Sequence, residues 1–254
     1  MDKYPLYNGE VELNYEDARH LYTVGDKNVF GVTSITGVIS KPALIPWAVN
    51  TCVKKFQDLF KPGVAYDEIQ IEQALKEAKG AHRQVSERAT DIGTLVHKWL
   101  EDWINGKKPE KPVNAEMQSA IDGFFQWVEE NDIEFIKAER KVYSKEYEYA
   151  GTLDAIAKIN GKLAVIDFKT SKAIYDEYLL QSSAYRQAVM EEDGTELDSY
   201  IVRFSKFNDN DSFEVLKDPD PDKSFETFKA CLQIYKWQQE NKSNWINKNQ
   251  QKLV

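Results

Sequence analysis

Over residues 1–40, apolar and polar positions alternate in short runs broken by Gly and Asn (HLYTVGDKNVFGVTSITGVIS), which predicts a small β-hairpin or ribbon. Lys41-Pro42 and Ile45-Pro46 interrupt it. An amphipathic helix is then expected from Trp47 to Phe60, stopped by Pro62-Gly63. Two further helices are expected, Asp67 to Lys79 and Ala81 to Asn105, the second closed by Asn105-Gly106 and the Pro-containing KKPEKPV loop. Asn114 can cap another helix that carries Met117, Ile121, Phe124, Phe125 and Val128 along one face.

From Ile133 the period changes. IEFIKAERKVY, YAGTLDAIAKI and KLAVIDFKT read as three strands, the last two joined by Asn160-Gly161, a strong hairpin signal. A helix from Asp176 to Glu191, a strand SYIVRFSKF, a partner strand DSFEVLK and a helix from Asp222 to Asn241 complete the chain. This order predicts an α/β fold class, an α+β arrangement in which a central mixed sheet is flanked by helices. An N-terminal β-ribbon and helical extension takes residues 1–90, and a core with a C-terminal helix takes residues 91–254. The 254 residues lie near the upper size for one hydrophobic core, so the two are expected to form one compact unit.

A hydrophobic content of 42% with 12% aromatics excludes wholesale disorder. No apolar run is long enough to cross a bilayer, and the first residues lack the basic start and apolar segment of a signal peptide. The cytoplasm is therefore the expected compartment, with no membrane partner. Cys52 and Cys231 are expected to be reduced, and an iron–sulfur cluster, which takes about four thiolates, is beyond them. The net charge of -9 sits awkwardly with binding a phosphate polymer, which calls for a local basic track instead. Candidates are Lys137, Arg140, Lys141 and Lys145, then Lys169 and Lys172, then Lys242, Lys248 and Lys252, although each cluster alone reads as a solvated surface. Trp47, Phe56, Trp99, Trp103, Phe124 and Trp127 have faces on which bases can stack, but their helical spacing assigns most of them to the core.

The chemistry concentrates in the Asn-Gly hairpin. Side chains alternate across a strand, so Asp167 and Lys169 share a face with Phe168 opposite, and Asp154 on the neighbouring strand can reach the same face. Hard oxygen ligands there suit Mg²⁺ or Mn²⁺, which acidify a water and screen phosphate charge. Lys169 adds a further cation. An Asp-x-Lys at a strand end is by itself an ordinary exposed ion pair. Here it ends an apolar strand beside a second Asp, and burying both carboxylates is costly unless a cation joins them. Gln181 and Tyr185, four apart on a helix, are neighbours that can hydrogen-bond a backbone phosphate or orient Lys169. His97, beside Trp99 and Leu100, fits a core role, yet its imidazole also offers a softer ligand that favours Mn²⁺. Arg83 and Arg88, on the helix leading to His97, and Lys172 are candidates for phosphate contacts.

GTLVH (Gly93 to His97), Glu139, GTLD (Gly151 to Asp154), IDFK (Ile166 to Lys169) and QSSAY (Gln181 to Tyr185) occur in the order found in the PD-(D/E)XK nuclease superfamily, and the chain resembles its RecB-type exonuclease branch over about residues 90–205. The resemblance implies a restriction-endonuclease-like core and metal-dependent hydrolysis of DNA, by an exonuclease acting on single strands or ends in replication, recombination or repair. It implies His97, Asp154, Asp167 and the Phe168 carbonyl as metal ligands, and Lys169 as the group that assists the nucleophile. It further implies Glu139 as support for the metal or a second cation, and Gln181 with Tyr185 as residues that shape the site and contact DNA. FGVTSITGVISKPALIPWA is also similar, more loosely, to phage nucleases and the mitochondrial genome-maintenance exonuclease of this branch, and phage origin implies the host cytoplasm. Leu153 stands where the superfamily name has Pro, and the cysteines of the iron–sulfur members are missing. No helicase motor fits in this length, so a helicase, single-strand-binding or recombination protein is expected as a separate partner. A non-catalytic DNA-end-binding subunit and a restriction-type endonuclease are the competing expectations.

Overall fold

The computed structural model describes residues 1–206 and 212–250, with side chains in the last helix through Lys242. Phe207, at the end of the expected SYIVRFSKF strand, Asp211, at the start of the expected DSFEVLK strand, and the tail cation Lys252 lie outside the described residues, as does the side chain of Lys248. In chain order the elements are β1 (Asp2–Leu6), β2 (Val11–Glu16), β3 (Leu21–Val24), β4 (Lys27–Gly31), α1 (Val32–Thr36), α2 (Leu44–Leu59), α3 (Glu68–Ile104) and α4 (Ala115–Glu130). They continue with β5 (Ile133–Ser144), β6 (Tyr149–Ile159), β7 (Lys162–Lys169), α5 (Asp176–Asp193), β8 (Asp198–Phe204), β9 (Phe213–Lys217) and α6 (Pro221–Gln250). The strands form one mixed sheet in the order β1-β2-β3-β4-β6-β7-β8-β9, with β5 on β6. The mixed sheet flanked by helices matches the expected fold class.

Two units emerge from the packing: residues 1–39 with 96–254, and residues 40–95. In the smaller unit, α2 and the start of α3 are tied by the Lys55–Glu77 ion pair at 2.7 Å. The Phe60 ring also meets Phe56 and Tyr66, each with centroids 4.6 Å apart. Asp67 accepts from the Gln70 backbone N–H while Gln70 accepts from that of Asp67, a reciprocal cap just ahead of α3.

The larger unit carries the sheet. β6 is its hinge, because β5 pairs along its whole length and so fills one edge. β4 and β7 must then share the other edge. β4 pairs in parallel with Tyr149 and Ala150, while β7 pairs antiparallel from Ala155↔Ile166 onward. Between these two pairings β6 and β7 part, leaving Asp154 and Asp167 as the first residues beyond the ladder. β7 turns instead to β8, with parallel pairing through Lys169↔Arg203. The β6–β7 turn is fixed by Asn160 (φ 51) and Gly161 (φ 78), the left-handed pair that a tight hairpin requires.

The two faces of the sheet bury different side chains. Toward α5 and α6, Val165, Ile156 and Tyr149 pack with Ala184, Ala188, Val189 and Phe228. The other aromatic cluster gathers Phe124 and Trp127 of α4 around Phe168, at centroid distances of 6.1 and 6.2 Å, with Phe204 at 5.6 Å. Phe168 is thereby clamped on the opposite side from Asp167 and Lys169, as strand alternation predicted.

Several expected boundaries moved. Trp47–Phe60 begins three residues earlier, at Leu44, with Pro46 inside the first turn, where its missing N–H does no harm. The two helices expected over Asp67–Lys79 and Ala81–Asn105 are one 37-residue helix that runs through Gly80. Glycine weakens a helix interior by about 1 kcal/mol without breaking it. VTSIT, read as part of the ribbon, is the short helix α1. The Asn114 cap holds, its Oδ1 accepting from the N–H groups of Glu116 and Met117.

Phe124 is fully buried and touches the rings of both Trp127 and Phe168. Phe124→Ala is expected to lower unfolding stability by about 3–5 kcal/mol in urea titrations. A loss under about 1 kcal/mol would show that this cluster does not hold the sheet.

Candidate active site

Asp154 and Asp167 sit where β6 and β7 part, and each is tied to a different neighbour. Asp154 Oδ2 accepts from the Phe168 backbone N–H at 2.7 Å, replacing the ladder bond lost at the parting. Its Oδ1 lies 3.1 Å from His97 Nδ1. Lys169 Nζ lies 2.6 Å from Asp167 Oδ2 as an ion pair. Oδ2 is buried, and among the described residues this ammonium is its one polar partner. The ammonium is further held by Gln181 Oε1 at 3.4 Å and by the face of Tyr178, 4.7 Å to the ring centroid.

α5 supports this group. Gln181 Nε2 donates to Tyr185 Oη at 3.0 Å, the four-residue spacing that placed both on one helix face. Tyr185 is buried against Gly151, where an added Cβ would stand 2.5 Å from the ring and 3.3 Å from Val32. Gly151 is therefore the residue that lets β6 approach α5. Glu139 lies on β5 with φ 50, a left-handed conformation unusual for a non-glycine residue. Its carboxylate is 3.6 Å from Lys141 Nζ.

Burial dominates the electrostatics. It pushes the Asp167 carboxyl up to about 6, against the pull of Lys169 and with the Asp154 charge adding to the rise. Burial acts the same way on Asp154, but the charges of His97 and Lys169 outweigh it and hold that carboxyl below the usual range. His97 and Lys169 feel the converse: burial disfavours their charge, and the adjacent carboxylates more than restore it, so both are raised. Burial lifts Glu139, with Asp154 adding to the effect. Burial likewise lifts the Tyr185 phenol well above its ordinary value.

His97, Asp154, Asp167, Lys169, Gln181 and Tyr185 are thus linked by direct contacts, and Phe168 supplies a backbone group to them. Glu139 feels the charge of Asp154. Lys172 is exposed on the loop after β7, outside these contacts. Arg83 and Arg88 are exposed on the part of α3 that belongs to the smaller unit. The expected basic track is largely neutralised. Arg140 pairs with Asp193 and Glu192 at 2.6 and 2.9 Å, and Lys145 pairs with Glu10 at 2.7 Å. Tyr178 escaped the sequence reading, although its place three residues before Gln181 puts it on the same helix face.

Among the described residues no group of three or more His, Cys, Asp and Glu side chains is arranged to hold a metal ion. The fit of a cation therefore rests on the two carboxylates. Asp167 Oδ2 is buried with the Lys169 ammonium as its one polar partner among the described residues, and no thiol is among the site's contacts. A hard cation that takes one or two carboxylates, with water and phosphate completing its shell, suits that donor set.

The folded protein holds the Asp167 proton more tightly than the unfolded chain, with values of about 6 against 3.8. That contribution favours folding at low pH and is lost as pH rises through this window. Relative to Asp167→Asn, the metal-free protein is expected to lose roughly 2–3 kcal/mol of unfolding stability between about pH 4 and pH 7. A difference independent of pH would contradict the assignment. Gly151→Ala is expected to destabilise by about 1–3 kcal/mol through the Tyr185 clash, and an unchanged urea midpoint would contradict that packing.

No protein-family model matches the chain, and no curated protein is significantly similar to it. Among solved structures it is similar to the alkaline exonuclease LHK-Exo from Laribacter hongkongensis, at 11% identity and a TM-score of 0.36 over 79% of this chain and 92% of that one. LHK-Exo in complex with dAMP gives 13% identity and a TM-score of 0.37 over 69% of this chain and 89% of that one. A candidate exonuclease from Eubacterium rectale gives 12% identity and a TM-score of 0.37 over 57% of this chain and 68% of that one. Likenesses this distant assign no activity to the chain.

Proposed function

We propose that this chain is a Mg²⁺- or Mn²⁺-dependent deoxyribonuclease that hydrolyses phosphodiester bonds, working as an exonuclease on single-stranded DNA or DNA ends. The observation that carries this reading is the buried Asp167 carboxylate, which shares one ammonium partner, Lys169 at 2.6 Å, with a second carboxylate beside it and is pushed up by burial and by that neighbour's charge. Asp154 and Asp167 would hold the cation, with the Phe168 carbonyl and His97 as further ligands and Glu139 as outer support. When bound, the cation supplies an acidified water and neutralises charge on the phosphate.

The chain's own residues do the rest. Lys169, held by Asp167, Gln181 and Tyr178, keeps its positive charge and is positioned to stabilise charge growing on a phosphate oxygen. Gln181 holds Lys169 from one side and Tyr185 from the other. Tyr185 remains a neutral phenol near pH 7, able to donate its proton in a hydrogen bond to substrate. His97 keeps Asp154 oriented. In the larger unit the DNA itself would meet Lys172 and Tyr185; Arg83 and Arg88 are separate candidates for phosphate contacts on the smaller unit.

With Mn²⁺ and end-labelled DNA, the protein is expected to shorten linear single strands stepwise and to leave covalently closed circles intact. Asp167→Ala should abolish hydrolysis, and Lys169→Ala should reduce it by at least about 10²-fold, with circular dichroism unchanged. Full activity in either variant refutes the proposal. Cutting of closed circles would transfer the assignment to an endonuclease, and binding without cleavage on every DNA form would favour an end-binding subunit.

A further inference from the structure

Where the N-terminal ribbon joins the sheet, the larger unit has a solvent-open hollow of about 320 Å³. It adjoins the candidate site, because Gln181, which meets Lys169, and Tyr185 both line it. Tyr15 of β2, Tyr22 of β3 and Thr33 of α1 also line it. The Tyr15 and Tyr22 ring centroids are 4.7 Å apart, and Lys141 Nζ lies 4.7 Å from the Tyr15 ring centroid. Tyr22 Oη and Thr152 Oγ1 are hydrogen-bonded at 2.9 Å.

Size and charge together select the occupant. A hollow near 300 Å³ is at the small end of ligand pockets and suits one nucleoside, not a stack of paired bases. Hydroxyls both donate and accept, which matches sugar hydroxyls and base edges. A phosphate is poorly suited. Lys141 lies 3.6 Å from the Glu139 carboxylate, Asp17 adds a second carboxylate to the lining, and His20 is already hydrogen-bonded to Tyr15 Oη at 2.8 Å. The lining therefore offers no surplus cation to a second phosphate, whereas a neutral sugar and base meet no such penalty.

We infer that this cavity receives the neutral nucleoside attached to the scissile phosphate, so that the enzyme takes one unpaired nucleotide at a time. The inference rests on the nuclease reading above and names the part of the substrate that the neighbouring hollow holds. A base in a duplex must leave its stack to enter, which gives single strands and frayed ends the advantage.

The test uses the full chain with Mn²⁺ and two esters that share a leaving group. Thymidine 5′-(p-nitrophenyl phosphate) carries a nucleoside, and bis(p-nitrophenyl) phosphate does not. The wild type is expected to prefer the thymidine ester by at least about tenfold in kcat/KM. Thr33→Trp, which fills the cavity from an exposed position, should reduce that ratio by about tenfold or more. Tyr22→Phe, which keeps the ring and removes one hydroxyl, should reduce it by a few-fold and covers the case in which the tryptophan disturbs folding. No preference in the wild type, a ratio unchanged in both variants, or equal losses on the two esters overturns the nucleoside subsite while hydrolysis stands. Failure on both esters by a protein that shortens linear single-stranded DNA overturns the nucleoside subsite, and failure on DNA as well overturns the nuclease reading itself.

Discussion

Two carboxylates share a buried place where neighbouring strands separate, and the surrounding structure is arranged around the energy this requires. An ion of this kind loses several kcal/mol of hydration on burial, which only a close partner can offset. Asp154 has two such partners, the Phe168 N–H at 2.7 Å and His97 at 3.1 Å. Asp167 has Lys169 at 2.6 Å from its buried Oδ2. Burial still pushes the Asp167 carboxyl up despite that ammonium, with the Asp154 charge adding to the rise, so a further positive charge would relieve both acids. A cation supplied from solution is the partner this chemistry suggests.

The topology explains how the acids come to be there. With β5 along one edge of β6, the remaining edge is divided between β4 and β7, so neither pairs with its full length. The gap costs backbone hydrogen bonds, and one of them is recovered through the Asp154 side chain. Phe168 is locked into the α4 aromatic cluster, and the strand pleat then fixes Asp167 and Lys169 on the other face. Gly151 lets Tyr185 press against β6, and Tyr185 orders Gln181, which meets Lys169. A substitution at Gly151 therefore reaches the ammonium group through two intervening residues, Tyr185 and Gln181.

Much of this was legible along the chain because local periodicity and tertiary structure agree. The Asn160-Gly161 turn, the Asn114 cap and the alternation around Phe168 each have one physical solution, and the structure adopts it. Gly80 was misleading because a glycine lowers helix propensity but deletes no hydrogen bond, so α3 continues through it. VTSIT looked extended because four of its five residues are β-branched, yet packing of Val32 and Ile35 into the core decides for a helix turn. The irregularity at Ile136 and the left-handed Glu139 arise from fitting β5 along β6, a constraint no local window contains. The same limit hid the ribbon's part in the site. Tyr15 and Tyr22 are more than a hundred residues from Thr152, and only the sheet brings them together.

The account stands on one claim, that the separated ends of β6 and β7 grip a divalent ion between their acidic side chains. Electron paramagnetic resonance of free Mn²⁺ during titration of the protein measures this without reference to any substrate. Saturable binding by the wild type, weakened at least about tenfold in both Asp154→Asn and Asp167→Asn, is the predicted result. Binding of equal strength in all three proteins, or none in the wild type, would contradict it.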